Sequence, residues 1–403
     1  MANLSGSRDV LVIGGGVIGL SLAWRARERG MSVTVLERDT LGSGTSRVAA
    51  GMLAPVAEAE FGEAGRRVLE LGLRSAELWP SFAEQLQAAS GIDVGLLRTG
   101  TLVLARDEDE ARELERQVAF RDGLGLATSR LRGSEARERE PALAPTMRLA
   151  LEAPDDHSVD PRAVLAALRA ACESSGVQLR EHARVERVEA DAGRVAGVTL
   201  ADGESLAAGQ VVLAAGAWSA QIAGAELDRA RPGATVPVRP VRGQLLRLRD
   251  PAGPGLLSRV IRFEGGYVVP RADGRYVLGA SVEERGFDLE PDVGGVYELL
   301  REAHEVVPGI SELKIEELCV GLRPGMPDNA PAIGAGSPEG LVLATGHHRN
   351  GILLAPLTAQ LGAKLLCAEQ IDASEQALLD ECDPRRFVGA SAERPSYAEA
   401  VHA

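Results

Sequence analysis

Short apolar runs alternate with an amphipathic stretch at the start of the chain. Val10 to Ile13 is a continuous apolar run, and Val33 to Leu36 is a second one. Continuous runs of this length are typical of strands that are buried on both faces, as in a parallel sheet. Between the two runs, the pattern from Leu20 to Arg29 predicts a helix that Gly30 ends. The pattern therefore predicts a β-α-β unit.

Similar elements recur later in the chain. Asp160 and Pro161 predict a helix start, because aspartate is a favourable N-cap and proline suits the first helical position. Short strands are predicted around Val185 and Val198, and a buried strand is predicted from Gln210 to Leu213. These segments extend the same α/β pattern.

Two stretches indicate an antiparallel sheet. Thr101 to Ala105 predicts a strand, and a charged helix follows it. Tyr267–Pro270 and Tyr276–Leu278 flank Asp273-Gly274, which is a hairpin turn signal, and Gln244 to Leu248 predicts a further strand. The predicted fold class is α/β, in which a Rossmann-like domain is interleaved with an α+β domain built on an antiparallel sheet. Its predicted boundaries are 8–90, 155–228 and 321–375 for the first domain, 91–154 and 229–320 for the second, and 376–403 for a C-terminal tail.

Composition narrows the function classes. The 403 residues carry 44 basic and 58 acidic side chains, a net charge of −14, which disfavours nucleic acid and anionic membranes as partners. The four cysteines form no C-x-x-C pair, so we expect reduced thiols and no metal site. No signal peptide and no apolar span of about 20 residues is recognised, so a cytoplasmic protein is expected.

The glycine-rich turn after the first strand carries the first chemical signal. Gly14, Gly16 and Gly19 follow the G-x-G-x-x-G spacing, and Glu37 ends the second strand. Such glycines let the backbone approach a pyrophosphate at a helix N-terminus, and the acid accepts both ribose hydroxyls. Strand, glycines, helix, strand and acid together predict dinucleotide binding, without choosing between NAD and FAD.

The next segment, Gly42 to Pro55, is rich in small residues. They allow close approach to a flat ring system, and Thr45, Ser46 and Arg47 are suited to binding phosphate oxygens. Gly44-Thr-Ser-Arg-Val-Ala-Ala-Gly-Met-Leu-Ala-Pro55 resembles the flavin loop of the glycine oxidase family, in the D-amino-acid oxidase superfamily. We call Gly44–Pro55 the flavin loop. Three further stretches agree with this resemblance: Gly321-Leu-Arg-Pro-Gly325, Gly346-His-His-Arg-Asn-Gly-Ile-Leu-Leu-Ala-Pro356, and Tyr267-Val-Val-Pro-Arg271 with Gly279-Ala280.

The resemblance implies non-covalent FAD and the oxidative deamination of glycine, and of small amines such as sarcosine, to imine or glyoxylate, ammonia and hydrogen peroxide. It also implies a place in the thiazole branch of thiamine biosynthesis. Handover of the product to a thiazole synthase and assembly into a homo-oligomer are two separate expectations about partners. The helix N-terminus near Asn350–Leu354 is suited to stabilising negative charge on the flavin. The residues that the resemblance places at FAD are Gly14, Gly16, Val17, Ile18, Gly19, Glu37, Arg38, Thr45, Ser46, Arg47, Ala49, Ala50, Gly51, Met52, Val185, Ala215, Gly216, Trp218, His348, Arg349, Asn350, Gly351, Ile352 and Leu353.

An amino-acid substrate needs a fixed clamp for its carboxylate, and a planar guanidinium binds a carboxylate through two parallel hydrogen bonds. Arg323, between Gly321 and Pro324, is the candidate, and it matches the family's carboxylate-binding arginine. The resemblance also implies that Tyr267 hydrogen-bonds this carboxylate and that Arg349 lies near the substrate.

Met52 and Val282 are the predicted pocket residues. Val282 stands where some glycine oxidases have methionine, which leaves the substrate range open. Arg47 stands where some related dehydrogenases attach flavin through histidine. Cys319, near the place where sarcosine oxidases attach flavin, is expected to be a free buried thiol.

Three other roles remain open at this point. One is a D-amino-acid or secondary-amine dehydrogenase that passes electrons to a quinone or a carrier. The second is a flavin module that modifies transfer RNA, which the acidic balance opposes. The third is a flavoprotein with a structural or regulatory role, which the presence of Arg323 and Tyr267 opposes. Molecular oxygen is the expected acceptor for the first-ranked function.

Overall fold

The computed structural model describes residues 9–228 and 233–388. Over these residues the chain divides into two compact units. The first unit comprises Met1–Gly44, Leu168–Pro240 and Arg323–Ala403, and the second comprises Thr45–Ala167 and Val241–Leu322, each taken over its described residues. Among the described helices, none combines the length and the apolar character that crossing a membrane requires.

Helices and strands alternate along much of the chain. The α-helices are α1 (Val17–Glu28), α2 (Thr45–Val48), α3 (Gly62–Ser90), α4 (Glu108–Gly123), α5 (Gly133–Arg139), α6 (Pro161–Ser175), α7 (Val293–Val306), α8 (Ala355–Leu366) and α9 (Ala373–Glu381). Short 3-10 helices cover Gly216–Gln221, Pro308–Glu312, His348–Asn350 and Pro384–Phe387. The strands are β1 (Val10–Ile13), β2 (Val33–Leu36), β3 (Met52–Leu53), β4 (Thr101–Ala105), β5 (Ser129–Arg132), β6 (Leu149–Ala153), β7 (His157–Ser158), β8 (Gln178–Arg180), β9 (Val185–Asp191), β10 (Arg194–Leu200), β11 (Ser205–Ala207), β12 (Gln210–Leu213), β13 (Arg239–Arg249), β14 (Val260–Phe263), β15 (Gly266–Pro270), β16 (Arg275–Gly279), β17 (Lys314–Gly325), β18 (Ala332–Ala335) and β19 (Leu341–Thr345).

The first unit is built on a six-stranded sheet in the order β18-β19-β12-β1-β2-β8. Neighbouring strands from β19 to β8 are parallel, and β18 pairs antiparallel to β19. All four residues of β1 and all four of β2 are buried, as expected for central strands of a covered parallel sheet. A smaller sheet, β11-β10-β9, completes this unit.

The second unit is built on an eight-stranded sheet in the order β17-β13-β16-β15-β14-β4-β6-β5. The hairpin of β15 and β16 pairs antiparallel around Asp273-Gly274, whereas β14 and β4 are parallel. One face of the sheet carries a core that includes Leu246, Leu278 and Leu299 of α7. The opposite face carries a cluster that includes Leu245, Val277 and Ala50.

The structure confirms the predicted α/β fold class with its parallel sheet. The glycine turn also forms the first turn of α1, which therefore begins at Val17 rather than at Leu20. The two compact units divide the chain elsewhere than predicted, because 45–90 and 155–167 lie in the second unit. The functional roles of the domains stay predictions. Residues 376–381 of the predicted tail belong to α9, and the boundaries at 8 and 229 and the segment 389–403 lie outside the described residues.

Candidate active site

In the first unit, four of the predicted segments follow the carboxyl ends of parallel strands. The glycine turn follows β1, Glu37 follows β2, Ala215 and Gly216 lie just beyond β12, and the segment from Gly346 follows β19. Carboxyl ends of parallel strands lie at one edge of a sheet, and ligands of open α/β sheets bind at that edge. The sequence therefore brings these segments to one edge.

The glycine turn packs too tightly for side chains. A Cβ atom at Gly14, where φ is +109°, would lie 2.4 Å from the carbonyl oxygen of Ala214, and one at Gly19 would lie 2.0 Å from the carbonyl oxygen of Gly14. Gly16 is the N-cap of α1, and no side chain caps this helix. No side-chain cap therefore occupies this helix N-terminus, as a pyrophosphate site requires.

Glu37 lies beside this turn. One carboxylate oxygen of Glu37 accepts a hydrogen bond from the backbone N–H of Gly15 at 2.7 Å, and the other accepts from Asp39 at 3.0 Å. The carboxylate is thus fixed next to the glycines, where a ribose of a bound dinucleotide is expected. The guanidinium of Arg38 lies 3.6 Å from the ring centroid of Trp218, so these two predicted FAD residues contact each other.

Two buried histidines follow β19. Burial lowers the pKa of His347 to about 3, and its Nε2 atom lies 3.0 Å from the hydroxyl of Thr358. His348 has a φ of +47°, and its Nε2 atom is buried without a hydrogen-bond partner among the described residues. Both imidazoles are therefore neutral at physiological pH.

Three arginines lie close enough to His348 for their charges to lower its pKa. Burial, followed by the charges of Arg349, Arg323 and Arg239, lowers the pKa of His348 well below its usual value. The structure thus brings the predicted Arg323 and Arg349 to one part of the first unit. It adds Arg239, at the start of β13, which the sequence analysis missed because no motif distinguishes it from the other arginines. This concentration of positive charge suits an anionic group such as a carboxylate.

The flavin loop lies in the second unit from Thr45 onward. The hydroxyl of Thr45 donates to the carbonyl oxygen of Leu322 at 2.7 Å, which anchors the start of α2. Gly51 has a φ of +83°, and a Cβ atom there would lie 2.1 Å from the carbonyl oxygen of Val159. This glycine is therefore required by the close approach of the loop to its neighbour.

Met52 and Tyr267 pack against the same apolar cluster of the second unit, which contains Ala50 and Val269. Tyr267 lies opposite Gly279 in the β15–β16 hairpin, and a Cβ atom at Gly279 would lie 2.8 Å from the Tyr267 hydroxyl oxygen. Gly279 thus makes room for the tyrosine ring. Val282, the other predicted pocket residue, is 47% exposed and is absent from this cluster.

These features fit FAD. The first unit presents a helix N-terminus without a side-chain cap at α1, a carboxylate fixed beside it, and a buried nitrogen of His348 without a hydrogen-bond partner among the described residues. A model of the FAD dependent oxidoreductase family, DAO, matches residues 9–365. The chain belongs to this family. This chain is therefore an FAD-dependent oxidoreductase, which confirms FAD as the predicted cofactor.

Named relatives agree. This chain is 38% identical over 362 residues to "Glycine oxidase" of Geobacillus kaustophilus, and the alignment covers 89% of this chain and 92% of that protein. It is 34% identical over 385 residues to "Bifunctional protein ThiO/ThiG" of Synechocystis, covering 94% of this chain but about half, 54%, of that relative. The crystal structure of the Geobacillus kaustophilus glycine oxidase superposes with a TM-score of 0.82 at 36% identity, covering 90% of this chain and 95% of that chain. The predicted resemblance is thereby confirmed.

Proposed function

We propose that this enzyme oxidises glycine with molecular oxygen. Glycine, oxygen and water yield glyoxylate, ammonia and hydrogen peroxide, through an imine that hydrolyses in water. The cationic group of Arg323, Arg349 and Arg239 around His348 carries the proposal, because a substrate amino acid presents a carboxylate. The glycine oxidases among its relatives support the choice of a small amino acid as substrate.

The residues of the chain bind and orient the substrate rather than exchange protons with it. Arg323 holds the carboxylate through its planar guanidinium, which fixes the direction of the Cα–H bond. Neutral His348 adds no competing charge, because burial, followed by the charges of the neighbouring arginines, lowers its pKa and keeps it unprotonated. Tyr267, in the second unit, is proposed to contribute its phenol to substrate binding. Bound FAD supplies the two-electron acceptor.

Arg323→Ala tests the clamp. We expect the KM for glycine to rise by about two to three orders of magnitude, because a charge-assisted bidentate contact is lost, while FAD stays bound. Arg194→Ala is the matched control, since Arg194 lies in the same unit with a side chain that is 67% exposed. An unchanged KM in Arg323→Ala would contradict the assignment.

A substrate panel tests the reaction. Anaerobic mixing with glycine, sarcosine, D-alanine and D-proline should bleach the flavin absorbance fastest with glycine or sarcosine. Under air, hydrogen peroxide should form in a one-to-one ratio with the amine consumed. Bleaching without peroxide would instead support the dehydrogenase that passes electrons to a quinone or a carrier.

We further propose that the product serves the thiazole branch of thiamine biosynthesis in the cytoplasm, with FAD bound non-covalently. The ThiO/ThiG relative supports the first statement. Cys319 is buried at 6% exposure, where a cysteine packs as a small apolar side chain, so we propose that it is a structural thiol. Retention of FAD after denaturation and filtration would contradict non-covalent binding.

A further inference from the structure

Buried arginines hold the flavin loop through its carbonyl oxygens. The carbonyl of Arg47 accepts from Nη2 of Arg247 at 2.7 Å and from Nε of Arg162 at 3.4 Å. The same Nη2 atom of Arg247 lies 3.5 Å from the carbonyl of Val48. Two successive carbonyls of α2 are thus directed at one guanidinium of β13.

The next part of the loop is held in the same way. The carbonyl of Ala50 accepts from Nη2 of Arg271, at the end of the β15 strand, and the carbonyl of Gly51 accepts from the backbone N–H of Val159 at 2.9 Å. Four of the five carbonyls from Arg47 to Gly51 are therefore bound by donors of the second unit.

Both arginines are buried, since Arg247 and Arg271 are each 6% exposed. Burial lowers the pKa of Arg271 to about 10, and burial followed by the charge of Arg162 lowers that of Arg247, so both remain charged at neutral pH. Burying a guanidinium is costly unless its hydrogen bonds are satisfied, and an aliphatic side chain would fill the same space without that cost. Their position in the core therefore calls for a role that only a donor fulfils.

We propose that Arg247 and Arg271 are positioning residues for FAD, which act by fixing the backbone of the flavin loop. A carbonyl oxygen that is held by a guanidinium cannot turn toward the flavin ring, where it would disfavour the negative charge that develops when the ring is reduced. Neither arginine needs to touch FAD. The loop is preorganised, so ordering it costs little when FAD binds.

Titration of apoprotein with FAD tests this role through the quenching of flavin fluorescence. We expect Arg271→Met to weaken FAD binding about ten- to hundredfold, because the loop must then be ordered at the moment of binding. The FAD affinity of Arg271→Lys should lie between those of Arg271→Met and the unaltered protein, since an ammonium group donates hydrogen bonds without the planar geometry of a guanidinium.

Arg249→Met is the matched control. Arg249 lies two positions after Arg247 on the same strand, its side chain is 42% exposed, and it pairs with Glu316 at the surface. Its FAD dissociation constant should stay within twofold of that of the unaltered protein.

A merely structural role makes a different prediction. In that case Arg271→Met lowers the melting temperature of the apoprotein but binds FAD within twofold of the unaltered protein, and this result would overturn the proposal. Should Arg271→Met not fold, Arg247→Lys and Arg271→Lys decide instead: weakened FAD binding by folded protein supports the role, and unchanged binding refutes it.

Discussion

The two units prepare their ligand-binding segments in different ways. In the first unit the backbone shapes the binding segment: Gly14 and Gly19 allow a close approach, and α1 begins without a side-chain cap. In the second unit side chains shape the backbone, because Arg247 and Arg271 bind carbonyls of the flavin loop. A glycine turn fails when atoms are added, whereas a side-chain clamp fails when atoms are removed.

A second clamp in the second unit extends this contrast beyond the flavin loop. Arg121 of α4 donates to the carbonyls of Val56, Ala57 and Ala59, and the carboxylate of Asp156 accepts from the N–H groups of Val56 and Ala57. Arg121 and Asp156 are both buried, at 1% and 0% exposure. The segment 56–59 is thus held by hydrogen bonds to its backbone carbonyl groups and to its backbone N–H groups.

The largest effect is expected from adding a methyl group to the glycine turn. Gly14→Ala places a Cβ atom 2.4 Å from the Ala214 carbonyl at a φ of +109°, so FAD affinity should fall at least about a hundredfold. Gly209→Ala, in the same unit, meets nothing within 4 Å and should bind FAD normally. Flavin absorbance of the purified proteins and FAD titration measure the outcome. Full FAD occupancy in Gly14→Ala would break the contrast.

Removing the clamp at Arg121 should produce the next largest effect. Arg121→Met removes three guanidinium hydrogen bonds, each contributing about 1 kcal/mol, so the free energy of unfolding should fall by about 3 kcal/mol, although the Ala57 carbonyl keeps Arg262 and the Val56 carbonyl keeps the N–H of Ala59. Arg116→Met is the control, because Arg116 lies on the same helix with a side chain that is 74% exposed. Urea unfolding measures both. A loss below about 1 kcal/mol in Arg121→Met would show that the carbonyls find other partners.

This contrast also explains what the sequence could predict. The glycine turn, Glu37 and the hairpin at Asp273-Gly274 are local patterns, so spacing alone predicted them. Arg271 and the carbonyl that it binds are 221 residues apart, and only the folded sheet brings them together. Of the 44 basic residues only Lys314 and Lys364 are lysines, so 42 are arginines. Residue type alone therefore could not distinguish Arg239, Arg247 or Arg271 from the arginines at the surface.

One buried group in each unit should make the free energy of unfolding change with pH in opposite directions. In the second unit, burial raises the pKa of Asp156 from 3.8 to about 7. The hydrogen bonds from the N–H groups of Ala57 and Val56 and the charge of Arg262 lower this pKa, whereas the charge of Glu58 raises it. The folded state then holds a proton that the unfolded state releases, so this contribution to stability is present below about pH 4 and lost as the pH rises to about 7. Asp156→Asn should flatten this decline by a few kcal/mol, measured by urea unfolding at several pH values.

Asp155→Asn is the control, because Asp155 is the exposed neighbour of Asp156. Its unfolding free energy should follow that of the unaltered protein across this pH range. A decline that is equally steep in Asp156→Asn would show that other groups cause it.

In the first unit, burial lowers the pKa of His347 to about 3, below the 6.5 of an unfolded histidine. The unfolded state then binds the proton first, so stability should be lost as the pH falls from about 6.5 toward 3. His347→Gln should make this loss smaller. Thr358→Val removes the hydroxyl that contacts His347, so it should lower stability while it keeps the slope. Equal slopes in all three proteins would remove the contrast between the units.

The smallest effect is expected where a side chain assists the first unit. Arg38 lies over Trp218 at 3.6 Å, but its side chain is 35% exposed, so solvent screens much of this cation–π contact. Arg38→Met should change the FAD dissociation constant by less than about threefold, because the backbone rather than this arginine forms the site. The same titration that shows a large change for Arg271→Met provides the comparison. A change above about tenfold in Arg38→Met would mean that the first unit, too, depends on an arginine, and that the units differ only in where their arginines lie.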